Sequence, residues 1–337
     1  MLQRLSVPEL LTSTHPLLDV RSPGEYAHGH IPGAISFPLF SDEERARIGT
    51  LYKQTGRNEA FEEGLRVVGP KMAGFVQDAR DLCASALNIY CWRGGMRSNS
   101  MAWLLEQVGF EVSVLDGGYK RYRGHLMSFF ESPLDLRILT GLTGSGKTAV
   151  LHALQDQGAQ VIDLEGIANH KGSSFGNVLT AGQPTTEQFQ NDLFEAFMGL
   201  DIHRPIWVED ESIAIGGVYL PQPLFARMRT SPHVLLEVDD DQRLDLLVED
   251  YGQLAPARLK EATANISKKL GLENMRDAHA AIDDGDLRRA ASIILRYYDR
   301  MYRKSIGKKE GRIVATVDGR GLAPSAIANK IMKTHGD

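Results

Sequence analysis

Leu87-Asn88-Ile89-Tyr90-Cys91-Trp92-Arg93-Gly94-Gly95-Met96-Arg97-Ser98 holds one of only two cysteines in the chain. The apolar run Leu87 to Tyr90 predicts a buried strand. The run from Ser98 to Leu105 predicts a helix, with Ser98 near its cap. Cys91 therefore sits where a strand hands over to a loop that winds into a helix N-terminus. Such a loop points backbone N–H groups at its own centre, and the helix dipole adds partial positive charge. Arg93 and Arg97 add two full charges. Both effects favour thiolate over thiol, which makes Cys91 the candidate nucleophile. Trp92, Arg93, Gly94, Gly95, Met96 and Arg97 form its anion cradle, the two glycines permitting a curl that side chains would block.

Cys-x5-Arg suits two chemistries. It cradles an oxyanion, as in cysteine-dependent phosphatases, or a persulfide or perselenide anion, as in rhodanese-type sulfurtransferases. Tyr90 stands where the phosphatase signature has His. Leu17-Leu18-Asp19-Val20-Arg21-Ser22-Pro23-Gly24-Glu25-Tyr26, continuing through Ala27-His28-Gly29-His30-Ile31-Pro32-Gly33-Ala34, resembles the opening of a rhodanese domain. Asp116-Gly117-Gly118 resembles the turn that closes one. The resemblance implies a rhodanese-like α/β domain over residues 1–130. His28 and His30 read as structural turn residues. An insert at about 41–74, which a plain rhodanese does not need, reads equally as a solvated helix or a substrate-facing segment.

Length and composition bound the rest. The chain has 337 residues, enough for two domains, with 42 % apolar and 24 % charged residues, the composition of an ordinary globular protein. No apolar run is long enough to span a bilayer, and Met1 to His15 lacks the basic and apolar regions of a signal peptide. The expectation is a cytoplasmic protein without membrane contact. Cys83 and Cys91 allow no disulfide framework; Cys83 reads as core filler on a helix face. The net charge of −5 gives no global sign of nucleic-acid binding. Locally, Leu287 to Lys309 holds eight Lys or Arg against one acid, Asp299. Arg296, Arg300 and Arg303 fall on one helical face there, suited to a polyanion or to a lid over a phosphate ligand. Tyr119-Lys120-Arg121-Tyr122-Arg123 places three cations beside two aromatics. That suits a nucleic-acid backbone contact through Lys120, Arg121 and Arg123, or a solvated helix face. Glu131-Ser132-Pro133 reads as a linker.

A second domain, 134–337, opens with the strand Leu136 to Thr140. Gly141-Leu142-Thr143-Gly144-Ser145-Gly146-Lys147-Thr148 follows and fits the Walker A pattern. Its backbone N–H groups wrap a phosphate chain, Lys147 neutralises the terminal phosphates and Thr148 ligates Mg²⁺. Gly141, Thr143, Gly144, Ser145, Gly146, Lys147 and Thr148 are thus the predicted diphosphate-binding residues. An amphipathic helix from Lys147 to Gln157 follows, with Gly158 placed to stop it. Strands at Val161-Ile162, Ile206 to Val208, Val234 to Leu236 and Ile313 to Ala315 alternate with helices. They predict a P-loop NTPase-like parallel sheet with its ligand at the carboxyl ends of the strands. Glu209-Asp210-Glu211-Ser212 ends one strand, and Asp210 is the expected acidic partner of the metal. Asp163 to Gly176, polar and glycine-rich, reads as a second substrate wall, with Asp163, Glu165, His170, Lys171, Ser173 and Ser174 as its polar groups.

A rhodanese-like domain ahead of a P-loop domain, with Asn169-His170-Lys171-Gly172-Ser173-Ser174-Phe175-Gly176, Val208-Glu209-Asp210-Glu211-Ser212 and Gly49-Thr50-Leu51-Tyr52-Lys53-Gln54, resembles the tRNA 2-selenouridine synthases. One departure is Ile213, where that family carries Arg. The resemblance implies a transferase acting on tRNA with wobble 2-thiouridine. It geranylates the sulfur with geranyl diphosphate and then replaces S-geranyl by selenium from selenophosphate via Cys91. It implies no tightly bound cofactor, with Mg²⁺ as a companion of the diphosphate. The residues alone leave open a rhodanese-type tRNA sulfurtransferase, a P-loop kinase with a rhodanese regulator, and a pure binding module. They do not fix the oligomeric state.

Overall fold

The computed structural model describes residues 2–82, 85–171, 182–307 and 309–335, with the backbone alone at 301, 303–306, 310 and 335. The chain divides into two compact units, Met1–Phe129 and Phe130–Asp337.

In the first unit β1 (Gln3–Leu5), β2 (Leu17–Asp19), β3 (Ile35–Ser36), β4 (Ala86–Tyr90) and β5 (Glu111–Leu115) form one parallel sheet in the order β1-β5-β4-β2-β3. Strand β4 is its central member, and a strand covered on both faces reads as an unbroken apolar run. The signature after Leu17 builds the interior beside it. Buried Asp19 and Arg21 pair at 2.6 Å, Arg21 Nη2 donates to the Gly29 carbonyl at 2.7 Å, and the guanidinium lies 4.0 Å from the centre of the Tyr119 ring. His28 ends the helix Pro23–His28 and is not a turn residue, and His30 follows it with its ring stacked on Tyr26 at 3.8 Å.

The insert folds as helices Asp42–Gln54 and Arg57–Val68, with Met72–Leu82 after a short 3-10 turn. Ser41 and Glu44 start the first helix by bonding each other's backbone N–H. The helix Gly118–Glu131 runs across the division between the units, and Glu131 is helical and not the start of a linker. Tyr119 and Tyr122 on this helix are fully buried. They pack the core and cannot act as stacking platforms for nucleic-acid bases.

The second unit holds β6 (Leu136–Gly141), β7 (Gln160–Ile162), β8 (Ile206–Glu209), the hairpin β9 (Ala214–Ile215) and β10 (Val218–Tyr219), β11 (His233–Glu237) and β12 (Ile313–Asp318). Its main sheet is parallel, in the order β12-β11-β6-β8-β7. The helix Lys147–Asp156 buries Val150, Leu151 and Leu154, which share one helical face, against this sheet. The chain leaves it through Gly158 at φ +88°, a conformation that favours glycine. Four helices, Asp240–Tyr251, Pro256–Asn265, Leu272–Asp283 and Leu287–Gly307, pack into a cap with apolar clusters of their own around Ile266 and Ile282. Among the described residues no helix is long and apolar enough to cross a membrane.

Both loops singled out by the sequence leave the carboxyl end of the central strand of a five-stranded parallel sheet. The Cys91 loop follows β4 and the glycine-rich loop follows β6. In such sheets that end is where ligands bind.

Candidate functional site

In the first unit the helix after Cys91 runs Met96–Gln107 with Gly95 at its cap. Ser98 therefore lies inside the first turn and not at the cap. Its Oγ stands 3.2 Å from Cys91 Sγ and donates to the Gly95 carbonyl at 3.1 Å. Cys91 itself is 3 % exposed. The loop closes on the turn Asp116 to Gly118: Tyr119 N–H donates to the Cys91 carbonyl and Lys120 N–H to the Trp92 carbonyl, both at 2.9 Å. Two glycines make that approach possible. Gly118 has φ +59°, and a Cβ there would stand 2.5 Å from the Gly94 nitrogen and collide with the Cys91 carbonyl. Gly94 has φ +62°, and its Cβ would stand 2.7 Å from the Leu115 carbonyl oxygen.

The two cradle arginines differ from the sequence expectation. Arg97 donates to Glu25, Nη1 to Oε2 at 2.5 Å and Nη2 to Oε1 at 3.2 Å. Glu25 also accepts the Ser22 N–H at 3.1 Å. Burial pushes the Glu25 carboxyl up, and Arg97 more than offsets this, holding it below the usual carboxylate range. Arg97 thus brings a paired charge to the loop and not a free one. Arg93 is exposed and lines an open hollow with Lys120, Arg121 and His125. Arg121 pairs with Asp116 at 3.2 Å, and Arg123 is half-buried. Trp92 and Met96 are exposed. Cys83 lies outside the described residues.

In the second unit Gly144 and Gly146 both take φ +75° and curl the loop into the helix Lys147–Asp156. Lys147 Nζ donates to the Gly141 carbonyl at 3.3 Å, back across the loop. The buried Ser145 hydroxyl has no partner within the protein. Arg243 holds the loop from the cap. It is fully buried, donates from Nε to the Thr143 carbonyl at 2.9 Å, and is anchored by Asp240 at 2.8 Å and Asp299 at 3.0 Å. Tyr302 places its ring 6.0 Å from Lys147 Nζ. No motif marks Arg243 or Tyr302. The only sequence signal was Asp299, the single acid of a basic stretch, which is Arg243's partner.

Two carboxylates meet Thr148, and a third joins them. Thr148 Oγ1 lies 3.4 Å from Glu165 and 3.3 Å from Glu209. Single oxygens of Glu165, Glu209 and Glu211 all lie within 4.8 Å of one another. Burial and then the charge of Glu165 push the Glu209 carboxyl up to about 8. Glu211 is raised well above its ordinary value by burial and then by Glu209. Three clustered carboxyls, two of them buried, with a hydroxyl beside two of them and Lys147 only partly offsetting their charge, are a set of hard oxygen donors, and Mg²⁺ fits that set. Asp210 is not part of it. Strand β8 ends at Glu209, and the Glu211 N–H turns back onto the Glu209 carbonyl at 3.0 Å, which leaves Asp210 at the tip of a tight turn. There Asp210 pairs with Lys309 at 2.6 Å and accepts the Thr140 hydroxyl.

The predicted substrate wall is resolved into separate roles. Asp163 caps the short helix Leu164–Ile167 by accepting the Gly166 N–H at 2.7 Å, and meets His152 at 3.0 Å. Glu165 joins the carboxylate cluster. His170 is 4 % exposed with Nδ1 unpartnered, and burial lowers its pKa. Lys171 reaches Asp250 of the cap at 2.7 Å. Ser173 and Ser174 lie outside the described residues. Arg296 and Arg300 are exposed on Leu287–Gly307, as a polyanion contact requires; the Arg303 side chain is not described.

Residues 5–125 match the model of the rhodanese-like domain, and residues 134–326 match the tRNA 2-selenouridine synthase AAA domain. The chain is 35 % identical to the tRNA 2-selenouridine synthase of Pseudomonas fluorescens (strain Pf0-1), over 90 % of this chain and 92 % of that protein. It is 37 % identical to that of Bordetella bronchiseptica (strain RB50), over 90 % of this chain and 91 % of that one. Against the enzyme of Shewanella denitrificans (strain OS217) the figures are 37 %, 90 % and 92 %. A rhodanese-like unit carrying Cys91 and a P-loop unit carrying Lys147, matched together at this level over nine-tenths of the length, place the chain in the tRNA 2-selenouridine synthase family of tRNA-modifying enzymes.

Proposed function

We infer that this chain converts wobble 2-thiouridine of tRNA into 2-selenouridine in two steps, one for each of its anion-binding loops. The observation that carries the reading is that each unit holds one such loop, with a different chemistry in each. One has a thiol, Cys91, backed by Ser98. The other has an ammonium, Lys147, and a hydroxyl, Thr148, that meets two members of a three-glutamate cluster. The relatives' name supplies the tRNA and the selenium; the division of labour is our own reading.

In the first step geranyl diphosphate lies with its diphosphate in the glycine-rich loop. Loop N–H groups and Lys147 stabilise the pyrophosphate as the allylic C–O bond breaks and the thiouridine sulfur takes the geranyl group. Thr148 and the glutamates would hold Mg²⁺, which when bound would offset diphosphate charge. Alkylation turns the sulfur into a good leaving group. In the second step selenium from selenophosphate, handled at the Cys91 loop, forms the C2–Se bond. The C2–S bond breaks, geranyl thiolate leaves with the electron pair and takes a proton, and water cleaves the P–Se bond to phosphate. Mass spectrometry of tRNA nucleosides from a deletion strain tests this. The strain should lack 2-selenouridine and its S-geranyl precursor, and the wild-type gene should restore both. Unchanged 2-selenouridine in the deletion strain would refute it.

A further inference from the structure

The glycine-rich loop has an apolar neighbour. Thr143, a loop residue, is also a wall of a cavity of about 80 Å³ between the cap helices, open on one side. Leu247 and Val248 of Asp240–Tyr251, Leu259 of Pro256–Asn265, Ile282 of Leu272–Asp283, and Ala291 and Ile294 of Leu287–Gly307 line it. The cap holds the loop firmly against this space. Arg243 grips the Thr143 carbonyl, and a Cβ on Gly144 would meet the Leu247 side chain at 3.1 Å.

The wall chemistry discriminates between diphosphate esters. A nucleobase presents donors and acceptors on its edge, and a site that binds one must answer them, because buried polar groups left unpaired are costly. Here the exposed wall is nearly all carbon: Thr143, Tyr251, Thr263 and Tyr298 line it among aliphatic side chains, and the Thr263 hydroxyl donates to the Leu259 carbonyl at 2.8 Å. A branched hydrocarbon asks for no such partners and gains from leaving water.

We propose that this cavity receives the isoprenoid chain of a prenyl diphosphate whose phosphates lie in the Gly141 to Thr148 loop. It thereby makes the loop selective for a short prenyl diphosphate over a nucleotide. The proposal rests on the reading of that loop as a diphosphate site.

Calorimetry on the full chain with Mg²⁺ tests both levels, using pyrophosphate, geranyl diphosphate, farnesyl diphosphate and ADP as probes. Pyrophosphate should bind and lose its affinity in Lys147→Ala. Geranyl diphosphate should bind at least 10-fold tighter than pyrophosphate or ADP. In Ala291→Phe, which fills the cavity, that advantage should vanish while pyrophosphate affinity stays within 2-fold. Because a larger side chain can also disturb folding, Ile294→Ala provides the opposite change: the widened cavity should shift the farnesyl-to-geranyl affinity ratio upward by 5-fold or more. Pyrophosphate binding that depends on Lys147, with no gain from the geranyl chain, would overturn the cavity assignment alone. So would ADP binding tighter than geranyl diphosphate, or an Ala291→Phe variant that loses pyrophosphate and geranyl diphosphate equally. Absence of any Lys147-dependent pyrophosphate binding would overturn the loop reading and the cavity assignment with it.

Discussion

Arg97, the last residue of the Cys-x5-Arg loop, is bound through both terminal nitrogens to Glu25, at 2.5 and 3.2 Å. Glu25 belongs to the helix Pro23–His28 of the opening signature, so the two stretches that mark this unit in the sequence meet in one ion pair. Glu25→Gln keeps the shape and removes the charge, leaving Arg97 uncompensated while mostly shielded from water. The expected cost is about 1–3 kcal/mol at pH 7, read by urea unfolding. The pH dependence follows from the lowered Glu25 carboxyl. A group whose folded pKa is depressed stabilises the fold above its unfolded value, about 4.3, and loses that contribution as the pH falls through its folded value. The gap between wild type and variant should be constant from pH 7 to pH 5 and shrink on further acidification. A gap that widens in acid would show that the pair does not act as described.

Gly118→Ala should disable the Cys91 loop. The new Cβ meets the Gly94 nitrogen at 2.5 Å, in a backbone region that side chains rarely adopt. The expected loss is about 2 kcal/mol or more, with selenation abolished and geranylation by the other unit retained. Full selenation by this variant would mean the loop does not depend on its contact with the turn.

Arg296 and Arg300 are exposed on a helix whose other face lines the cap cavity. Replacing both with Ala should weaken tRNA binding and lower the log–log salt slope by about one for each lost phosphate contact. An unchanged slope, with weakened diphosphate binding instead, would assign them to a lid.

Much of this was legible because local rules and global fold agree. Two apolar strands, each followed by a glycine-rich turn and a helix start, fixed where Cys91 and Lys147 stand. Glycine spacing and capping residues act over a few positions, so a sequence displays them directly. Contacts across long separations were not legible. Nothing near Asp210 says that Lys309, 99 residues on, takes its carboxylate and leaves Glu209 and Glu211 to meet Glu165 near Thr148. Nothing near Tyr119 says that the ring stacks on Arg21 in the core, which removed two aromatics from the expected nucleic-acid surface. The cap cavity is built from four helices and one loop residue, a combination with no local pattern.

Geranyl diphosphate and selenophosphate are both already activated, so conversion in two steps on two loops needs no nucleotide, and following the modified nucleoside in a reconstituted reaction tests this most directly. Purified protein, 2-thiouridine tRNA, geranyl diphosphate and Mg²⁺ are mixed without ATP or GTP, and products are read by mass spectrometry before and after selenophosphate is added. Wild type should form S-geranyl-2-thiouridine and then 2-selenouridine. Lys147→Ala should fail at the first step yet selenate tRNA that has already been geranylated, and Cys91→Ala should geranylate but not selenate. An absolute requirement for a hydrolysable nucleotide, or one variant losing both steps while folded, would contradict the account.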